Sequence, residues 1–235
     1  MLEKAKQTLA GVFSSGDWAT ASDENARRDD IAIRSDDDVA PADILDLLRE
    51  QGVPTSFFLC GTRAEPSPPG DSMTGDGQAI YAHGFDPARM DRVAPEPFFA
   101  KSGRAEDLLT RLRPMPVPCF VRLPYEGGHR MLRVHRLLRD RQSDCLLVHW
   151  ATSPDDFPID GCESEQNLVA RCREAVERAF ALGRITGTVI LLHEDPAEVD
   201  APLSAQAAPL LLREVLRGAH EPRWAVVGIG VPLPV

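Results

Sequence analysis

Three consecutive aspartates, Asp36, Asp37 and Asp38, directly follow a short apolar run that contains Ile31 and Ile33. β-Branched residues at alternate positions indicate a buried strand, so the aspartates stand where that strand ends. Adjacent carboxylates repel each other, and at least one of them needs a cation, a proton or a strong donor to stay in place. A divalent metal with a general base would use such a pair, whereas the simplest alternative is a solvated acidic turn that caps the next helix.

Polar residues of catalytic type also follow other strand-like runs. The segments with the apolar pattern of buried strands are 30–35, 54–60, 78–83, 117–122, 144–149, 187–193 and 223–229. His83 ends the third of these segments, Arg122 the fourth, His149 the fifth and His193 the sixth. Because functional side chains collect at the carboxyl ends of parallel strands, these positions predict a site at one edge of a sheet.

Helix-like segments separate the predicted strands. Apolar residues recur at helical spacing in 41–51, 104–113, 129–141, 164–182 and near 205–217. Pro209 is expected to fall near the first turn of the last helix or to kink it. The proline-containing stretches 61–77 and 86–100 are expected to be irregular and to form walls around the site. This alternation predicts an α/β fold with a parallel sheet, either barrel-like or doubly wound.

The composition narrows the class of protein. The 235 residues are 43% hydrophobic and 26% charged, which suits one large α/β domain or two small ones. A formal net charge of −10 argues against nucleic acid as the main partner, and no apolar run is long enough to predict a membrane span. The amino-terminal residues lack the apolar core of a signal peptide, so we expect a cytoplasmic protein.

The five cysteines form no recognisable pattern. Their number is odd, no pair has CxxC spacing, and Cys60, Cys119 and Cys145 lie within apolar runs. Reduced thiols in such positions act as small hydrophobic groups. We therefore expect neither a disulfide framework nor a thiolate zinc site.

Taken together, the motifs resemble those of the NodB-type polysaccharide deacetylases, which form carbohydrate esterase family four, and they keep that family's order from about Ile31 to Val231. The matching stretches are Ser35–Asp37, Val53–Gly61, His83–Asp86, Arg122–Tyr125, Asp156–Phe157 and Leu191–His193. The resemblance implies a distorted or incomplete (β/α) barrel with about seven parallel strands. That barrel would occupy residues 31–235, after an N-terminal extension over residues 1–30.

The resemblance also implies a reaction: the metal-dependent hydrolysis of an N-acyl group, with acetyl expected, on an amino sugar or a sugar-containing precursor. Asp36 would be the general base, and Arg122 would keep its carboxylate ionised and oriented. His193 would be the general acid that protonates the leaving amine. The main-chain N–H of Tyr125 would help to stabilise the oxyanion.

A divalent metal is the cofactor that the resemblance implies, with zinc expected before nickel or cobalt. Asp37 and His83 would be two of its ligands, and a stable site normally has a third protein ligand. Phe157 and Leu191 would line the pocket for a small acyl group. The implied partner is therefore an N-acylated amino sugar, with no nucleic acid and no membrane span.

The chain departs from the family pattern at three positions. Pro87 stands where the family has a second metal-binding histidine. Asp86 is the nearest substitute for the missing ligand, because a carboxylate can replace imidazole for a hard or borderline cation, and His129 is the other option. Ser153 replaces an aspartate that supports the catalytic groups, and Asp38 replaces a glycine.

These departures keep a second interpretation open, a catalytically impaired domain that binds carbohydrate or a protein partner. The aspartates would then be relics or a binding site for sugar hydroxyls. The joint retention of five motif residues favours the enzyme; they are Asp36, Asp37, His83, Arg122 and His193. Three histidines outside the motifs are expected to be packing or surface residues; they are His135, His149 and His220.

Overall fold

The structure is a computed structural model that describes residues 29–35, 42–53, 55–66, 78–113, 119–149, 153–154, 162, 164–182, 189–193, 204–220 and 226–227. The strands in these residues are β1 (Asp29–Ser35), β2 (Ser56–Leu59), β3 (Ala79–Ala82), β4 (Phe120–Val121), β5 (Leu146–Leu147), β6 (Val189–His193) and β7 (Val226–Val227). The α-helices are α1 (Ala42–Gln51), α2 (Gly61–Ala64), α3 (Pro95–Leu112), α4 (Leu132–Arg141), α5 (Glu165–Leu182) and α6 (Ser204–His220).

The strands form one parallel sheet. Their order is β5-β4-β3-β2-β1-β6, and β7 pairs with the start of β1. Every pairing between neighbours is parallel, so all carboxyl ends lie at the same edge of the sheet. Within the described residues no pairing joins β5 to β6, and the sheet is therefore open there, as in an incomplete (β/α) barrel.

All seven predicted strands are present. Six of them lie inside the predicted segments, and β4 and β5 are reduced to two residues each. The exception is β1, which begins at Asp29, ahead of the expected boundary between the extension and the barrel. Apolar runs therefore located the strands well, while the ends of each strand depend on how far the neighbouring strand continues the pairing.

Four of the helices follow the predicted segments closely. The bounds of α1 and α5 differ from the predictions by one residue, while α4 begins at Leu132 because residues 127–130 form a turn that contains Gly127 and Gly128. Pro209 lies inside α6, which continues past it to His220. No helix in the described part of the chain is both long and apolar enough to cross a membrane.

The expected irregularity of 86–100 is wrong over its second half, because α3 begins at Pro95 and runs to Leu112. Pro95 and Pro97 fall in the first turn, where main-chain N–H groups have no acceptor inside the helix, so proline costs no hydrogen bond there. The predicted loop 61–77 likewise begins with the single helical turn α2. Residues 67–77 of that prediction lie outside the described residues.

The two faces of the sheet bury different sets of side chains. Phe57 and Ile80, which are opposite each other in the register, belong to the main core that includes the helices. The alternate residues Phe58, Tyr81 and Phe120 form an aromatic row on the other face, with successive ring centroids 5.5 Å and 5.3 Å apart. Since side chains alternate along a strand, the residues two positions after Tyr81 and Phe120 continue this second face.

Candidate functional site

His83 and Arg122 lie side by side where β3 and β4 end. Ala82 pairs with Val121 in the register, and the ladder continues beyond them because the N–H of Arg122 donates to the carbonyl oxygen of Ala82 over 3.0 Å. The N–H of His83 likewise donates to the carbonyl oxygen of Leu59 over 2.9 Å. The side chains of His83 and Arg122 are only 1% and 3% exposed, and they continue the face of the aromatic row.

A direct hydrogen bond sets the tautomer of His83. Its Nδ1 lies 3.0 Å from the main-chain carbonyl oxygen of Arg122, and a carbonyl oxygen accepts but cannot donate. Nδ1 therefore carries the hydrogen in the neutral ring, and the lone pair is on Nε2. Metal-binding histidines commonly donate their other N–H to a carbonyl or a carboxylate in this way. The geometry thus prepares His83 to bind a cation through Nε2.

The strand β1 ends at the same edge of the sheet. Ser35, its last residue, is opposite Leu59 of β2, and Arg34 is opposite both Phe58 and His193, the last residue of β6. The main chain therefore brings His193 to the edge at which β1 ends, as predicted. Asp36, Asp37 and Asp38 lie outside the described residues. Their roles, like that of the His193 side chain, stay predictions.

A buried guanidinium is costly unless an anion pairs with it, because burial removes the charge from water. Arg122 is 3% exposed, and the family resemblance predicts Asp36 as its anion. Its main chain is held by the hydrogen bonds to Ala82 and His83, so its side chain starts from a fixed point at the strand end. That placement is what a residue that orients a general base requires.

Tyr125 adopts an unusual main-chain conformation in the turn after Arg122. Its φ is 57° and its ψ is 35°, which is the left-handed region that bulky residues seldom occupy. The side chain is 52% exposed, and the guanidinium carbon of Arg89 lies 5.9 Å from the centre of its ring. Such conformations persist where surrounding structure imposes them, and they occur often at functional sites. The predicted oxyanion donor is therefore on a strained turn beside the strand ends.

The imidazole of His149, after β5, is stacked on that of His129. The ring centroids are 3.8 Å apart and the ring planes differ by 7°. Burial lowers the pKa of His149 to about 4, and its neighbours His129, Arg122 and Arg130 act in the same direction, because a positive charge beside the ring opposes a second one. His149 is consequently neutral near pH 7.

Asp86, the expected third metal ligand, already has a cationic partner. Its two carboxylate oxygens lie 2.6 Å and 2.9 Å from Nζ of Lys101 on α3. A metal ion would have to compete with this ammonium for the carboxylate. Pro87, in the position of the family's second histidine, is exposed. The ring of His129, the other option, is stacked on that of His149.

The described residues therefore fit a metal site in part. His83 has the tautomer and the location of a ligand, whereas no group of three or more His, Cys, Asp or Glu residues in the described ranges is arranged to hold a metal. Asp37, the first expected ligand, is outside those ranges. The metal ligand set is thus still a prediction, with His83 as the member that has structural support.

Only one of the two residues expected to line the acyl pocket lies within the described part of the chain. Leu191 is 2% exposed and lies opposite Ala32 in the centre of the sheet. Phe157 and Asp156 lie outside the described residues, and Ser153 is half-buried. The role of Leu191 and Phe157 as a wall for the acyl group is untested.

Sequence reasoning missed two residues at this edge of the sheet. His149 was expected to be a packing or surface residue, yet its stacked ring lies close enough to Arg122 for that charge to influence its pKa. Its position at the end of a predicted strand was the available signal. Lys101 gave no signal, because it follows a stretch interpreted as irregular and is 15 residues from Asp86. The packing role of His135 is consistent with its full burial and its bond to the carbonyl of His129.

No model of a protein family matches the chain. Among characterised proteins, it is 23% identical over 153 residues to a chitooligosaccharide deacetylase of Bradyrhizobium sp. (strain ANU 289). The match covers 65% of this chain, and the chain spans 63% of the length of that relative.

Solved structures show the same fold. A peptidoglycan N-acetylglucosamine deacetylase superposes with a TM-score of 0.63 at 19% identity, over 87% of each chain. A mutant of a CE4 family pseudoenzyme with restored enzymatic activity also gives a TM-score of 0.63, at 15% identity, over 87% of this chain and 67% of the other. These similarities confirm the predicted fold class and the predicted resemblance.

Proposed function

This chain has the fold of the NodB-type polysaccharide deacetylases and is a divergent relative of them, and from that premise we propose that it is a metal-dependent carbohydrate N-deacetylase. The reaction would remove an N-acyl group, acetyl first, from an amino sugar or a sugar-containing precursor. Support comes from the relatives, one of which is named a chitooligosaccharide deacetylase and another a peptidoglycan N-acetylglucosamine deacetylase. The expected cytoplasmic location stays a prediction.

The observation that carries the proposal is the hydrogen bond from Nδ1 of His83 to the carbonyl oxygen of Arg122. It joins two motif residues at adjacent strand ends and places the lone pair of a 1% exposed imidazole on Nε2, the nitrogen that a metal ligand would use. The packing residue His135 also bonds a main-chain carbonyl oxygen, so it is the place of His83 at the end of β3, next to Arg122, that distinguishes it. Only the unprotonated nitrogen of a histidine binds a metal, and in His83 that nitrogen is Nε2.

In this proposal Asp37, His83 and Asp86 hold the divalent metal, with zinc as first choice and nickel or cobalt as the others. Zinc accepts nitrogen and carboxylate ligands together, and three protein ligands leave one position for substrate or water. Asp86 can join the set once Lys101 has moved away from its carboxylate. The bound metal would supply Lewis-acid polarisation of the amide carbonyl.

The chain's own residues then divide the proton transfers. Asp36 takes a proton from the attacking water as its oxygen bonds to the acyl carbon, and Arg122 keeps the Asp36 carboxylate ionised. The N–H of Tyr125 donates to the oxyanion that forms. His193 gives a proton to the amine nitrogen as the carbon–nitrogen bond breaks, so that the carboxylic acid and the free amino sugar leave. Leu191 and Phe157 exclude water from the acyl methyl group.

A second candidate function is a non-catalytic domain that binds a sugar or a protein partner. It is favoured by Pro87 and Ser153, since each replaces a residue that the reaction would use. One similar structure is a CE4 family pseudoenzyme whose mutant has restored enzymatic activity. In this case a ligand would bind without metal, and no acyl group would be released.

The test is the release of acetate or formate from N-acylated glucosamine oligomers and monosaccharides by zinc-loaded protein. Replacing the base or the acid, in Asp36→Ala and His193→Ala, should each lower kcat by about 100-fold or more. The matched control is Asp38→Gly, which restores the family residue and should keep the turnover close to the wild-type value. Equal turnover in all four proteins would exclude the assigned roles. Sugar binding in EDTA without any release would support the second candidate.

A further inference from the structure

Five exposed arginines lie on segments that meet beside the Tyr125 turn. Arg89 and Arg92 bound the short 3₁₀ turn between β3 and α3, and Arg130, Arg133 and Arg136 lie just before and within α4. These five residues are called the arginine cluster below. They are separated by up to 47 positions in the sequence, so it is the fold that brings the two segments that carry them together.

Four contacts show that the segments meet. The Arg133 guanidinium donates to the carbonyl oxygen of Asp91 over 3.2 Å and also to that of Val93. A Cβ placed on Gly127 would lie 3.1 Å from a carboxylate oxygen of Asp91, so the turn after Tyr125 packs directly on the first segment. Arg89 itself lies 5.9 Å from the ring centre of Tyr125.

Among the described residues, the arginine cluster has few ion-pair partners. Asp91 accepts two hydrogen bonds from Arg89, of 2.9 Å and 3.1 Å, and is the only carboxylate in the described ranges that pairs with the cluster. Arg133 uses its hydrogen bonds on main-chain carbonyls, which leaves its charge in place. The chain as a whole has a net charge of −10, so the arginine cluster is a positive region on a protein that is negative overall.

The cluster also reaches the strand ends. Arg130 follows His129, whose ring is stacked on His149 at 3.8 Å, and the positive charge of Arg130 helps to keep the pKa of His149 low. Arg122 does the same from inside the site. Arg130, next to the stacked His129, and Arg89, beside Tyr125, therefore place one side of the cluster near the edge of the sheet that holds His83.

We propose that the arginine cluster binds the phosphate or diphosphate group of a phosphorylated amino sugar, and this rests on the proposed deacetylase function. The substrate class is then an N-acyl sugar phosphate or diphosphate, whether it is attached to a nucleotide or to a lipid. Its sugar would lie toward His83 and its phosphate toward Arg130 and Arg136.

Charge and geometry both favour a phosphate over a neutral sugar chain. Guanidinium groups bind phosphate oxygens through paired hydrogen bonds, and a local positive field draws anions to a protein that otherwise repels them. A neutral oligosaccharide would gain little from the arginine cluster, since it is bound by apolar contacts and by a few placed polar groups. Each arginine–phosphate contact is worth roughly tenfold in affinity.

The experiment measures binding by calorimetry on the full chain in EDTA, so that turnover does not contribute. The probes are N-acetylglucosamine 1-phosphate, UDP-N-acetylglucosamine, farnesyl diphospho-N-acetylglucosamine and neutral chitotriose, each at low and at high salt. The test variant is Arg130→Gln combined with Arg136→Gln, which leaves the structural contacts of Arg133 intact. The matched control is Arg178→Gln, an exposed arginine on α5.

The expected result is that at least one phosphorylated probe binds about tenfold or more tightly than chitotriose, that salt weakens it, and that the double variant loses most of this gain. The Arg178→Gln control should keep this gain in affinity. If the UDP probe binds more tightly than the farnesyl probe, the natural substrate is attached to a nucleotide. If the farnesyl probe binds more tightly, the substrate is attached to a lipid. Equal binding of chitotriose and all phosphorylated probes, or an unaffected double variant, overturns the proposal. In the separate turnover assay with zinc-loaded protein, acetate release from chitotriose and from none of the phosphorylated sugars would uphold the deacetylase function while rejecting this substrate class.

Discussion

His83 donates its Nδ1–H to the main-chain carbonyl oxygen of Arg122 over 3.0 Å, although the two residues are 39 positions apart in the sequence. The bond connects the end of β3 to the end of β4 and holds the imidazole plane relative to the guanidinium-bearing residue. Because it also selects the tautomer of His83, a change at either strand end would alter the direction in which the Nε2 lone pair points.

Replacing Lys101 by methionine should tighten the binding of zinc, and Asp86→Asn should weaken it. In the wild type the Lys101 ammonium lies 2.6 Å from the Asp86 carboxylate and competes with a cation for it. Both side chains are about one-third exposed, so solvent screening limits the effect to about five- to tenfold in affinity. Zinc titration against a competing chelator measures this change.

The control for the zinc titration is Arg49→Met, which removes a different cation from an exposed pair with Asp46 on α1. It should leave the affinity for zinc unchanged. If neither Lys101→Met nor Asp86→Asn changes the affinity, Asp86 is not a ligand, and His129 becomes the residue to replace next.

Lowering the pH from about 6.5 to about 4 should destabilise the protein, in part through His149. The pKa of His149 is lowered to about 4 in the folded protein, mainly by burial, whereas an unfolded histidine has a pKa near 6.5. Between these values the unfolded chain binds a proton that the folded chain does not, so stability falls as the pH falls. His149→Gln should show a shallower loss in urea unfolding at pH 7 and pH 5.

His220→Gln, at the end of α6, is the matched control for this pH dependence. It removes a histidine from another part of the chain and should keep the wild-type slope. If the stability of the His149→Gln protein depends on pH as steeply as that of the wild type, solvent reaches both rings of the stacked pair and the prediction fails. Solvent around the His149 ring screens its charge, so its contribution to the pH dependence of stability is smaller than that of a fully buried histidine.

Tyr125→Gly should leave the free energy of unfolding unchanged or raise it by up to about 1 kcal/mol, because glycine adopts a φ of 57° without strain. Tyr125→Val should lower it by about 1–2 kcal/mol, because a β-branched residue is least tolerated there. Urea unfolding of the two variants measures the difference. Since Tyr125→Gly keeps the main-chain N–H, it should also keep the deacetylase turnover that depends on that donor. A strongly destabilised glycine variant would refute the left-handed conformation.

Hydrogen peroxide should convert Cys119 and Cys145 to a disulfide. The two sulfurs are 2.6 Å apart on neighbouring strand starts, and Nη2 of Arg141 lies 3.4 Å from the sulfur of Cys119. Contact with the Cys145 thiol and the Arg141 charge lower the pKa of Cys119, which increases its thiolate character. Peroxide oxidises the thiolate, the second thiol displaces water, and two thiols and one peroxide yield one disulfide and two waters.

Mass spectrometry after alkylation should then find Cys119 joined to Cys145 and the buried Cys172 still alkylated once the protein is unfolded. Cys119→Ser should abolish the product. If both cysteines are alkylated after peroxide treatment, their burial protects them and the prediction fails.

The sequence by itself determined the strands and the polar residues that follow them. Alternating or continuous apolar runs are local signals, and each of the seven runs became a parallel strand because its apolar side chains could be buried only in a sheet. Parallel pairing then required His83, Arg122 and His193 to reach one edge. The start of α3 at Pro95 escaped this reasoning, since prolines that break a helix interior are tolerated in its first turn.

Only the tertiary structure decided which of these residues touch. The register between β3 and β4 made the carbonyl of Arg122 the acceptor for His83, the packing of α3 against the sheet brought Lys101 to Asp86, and the turn before α4 laid His129 on His149. Such contacts join residues far apart in the chain, and no local pattern encodes the distance between them. They arise when buried surfaces and hydrogen-bond ladders fix the elements against one another, which is a property of the folded chain as a whole.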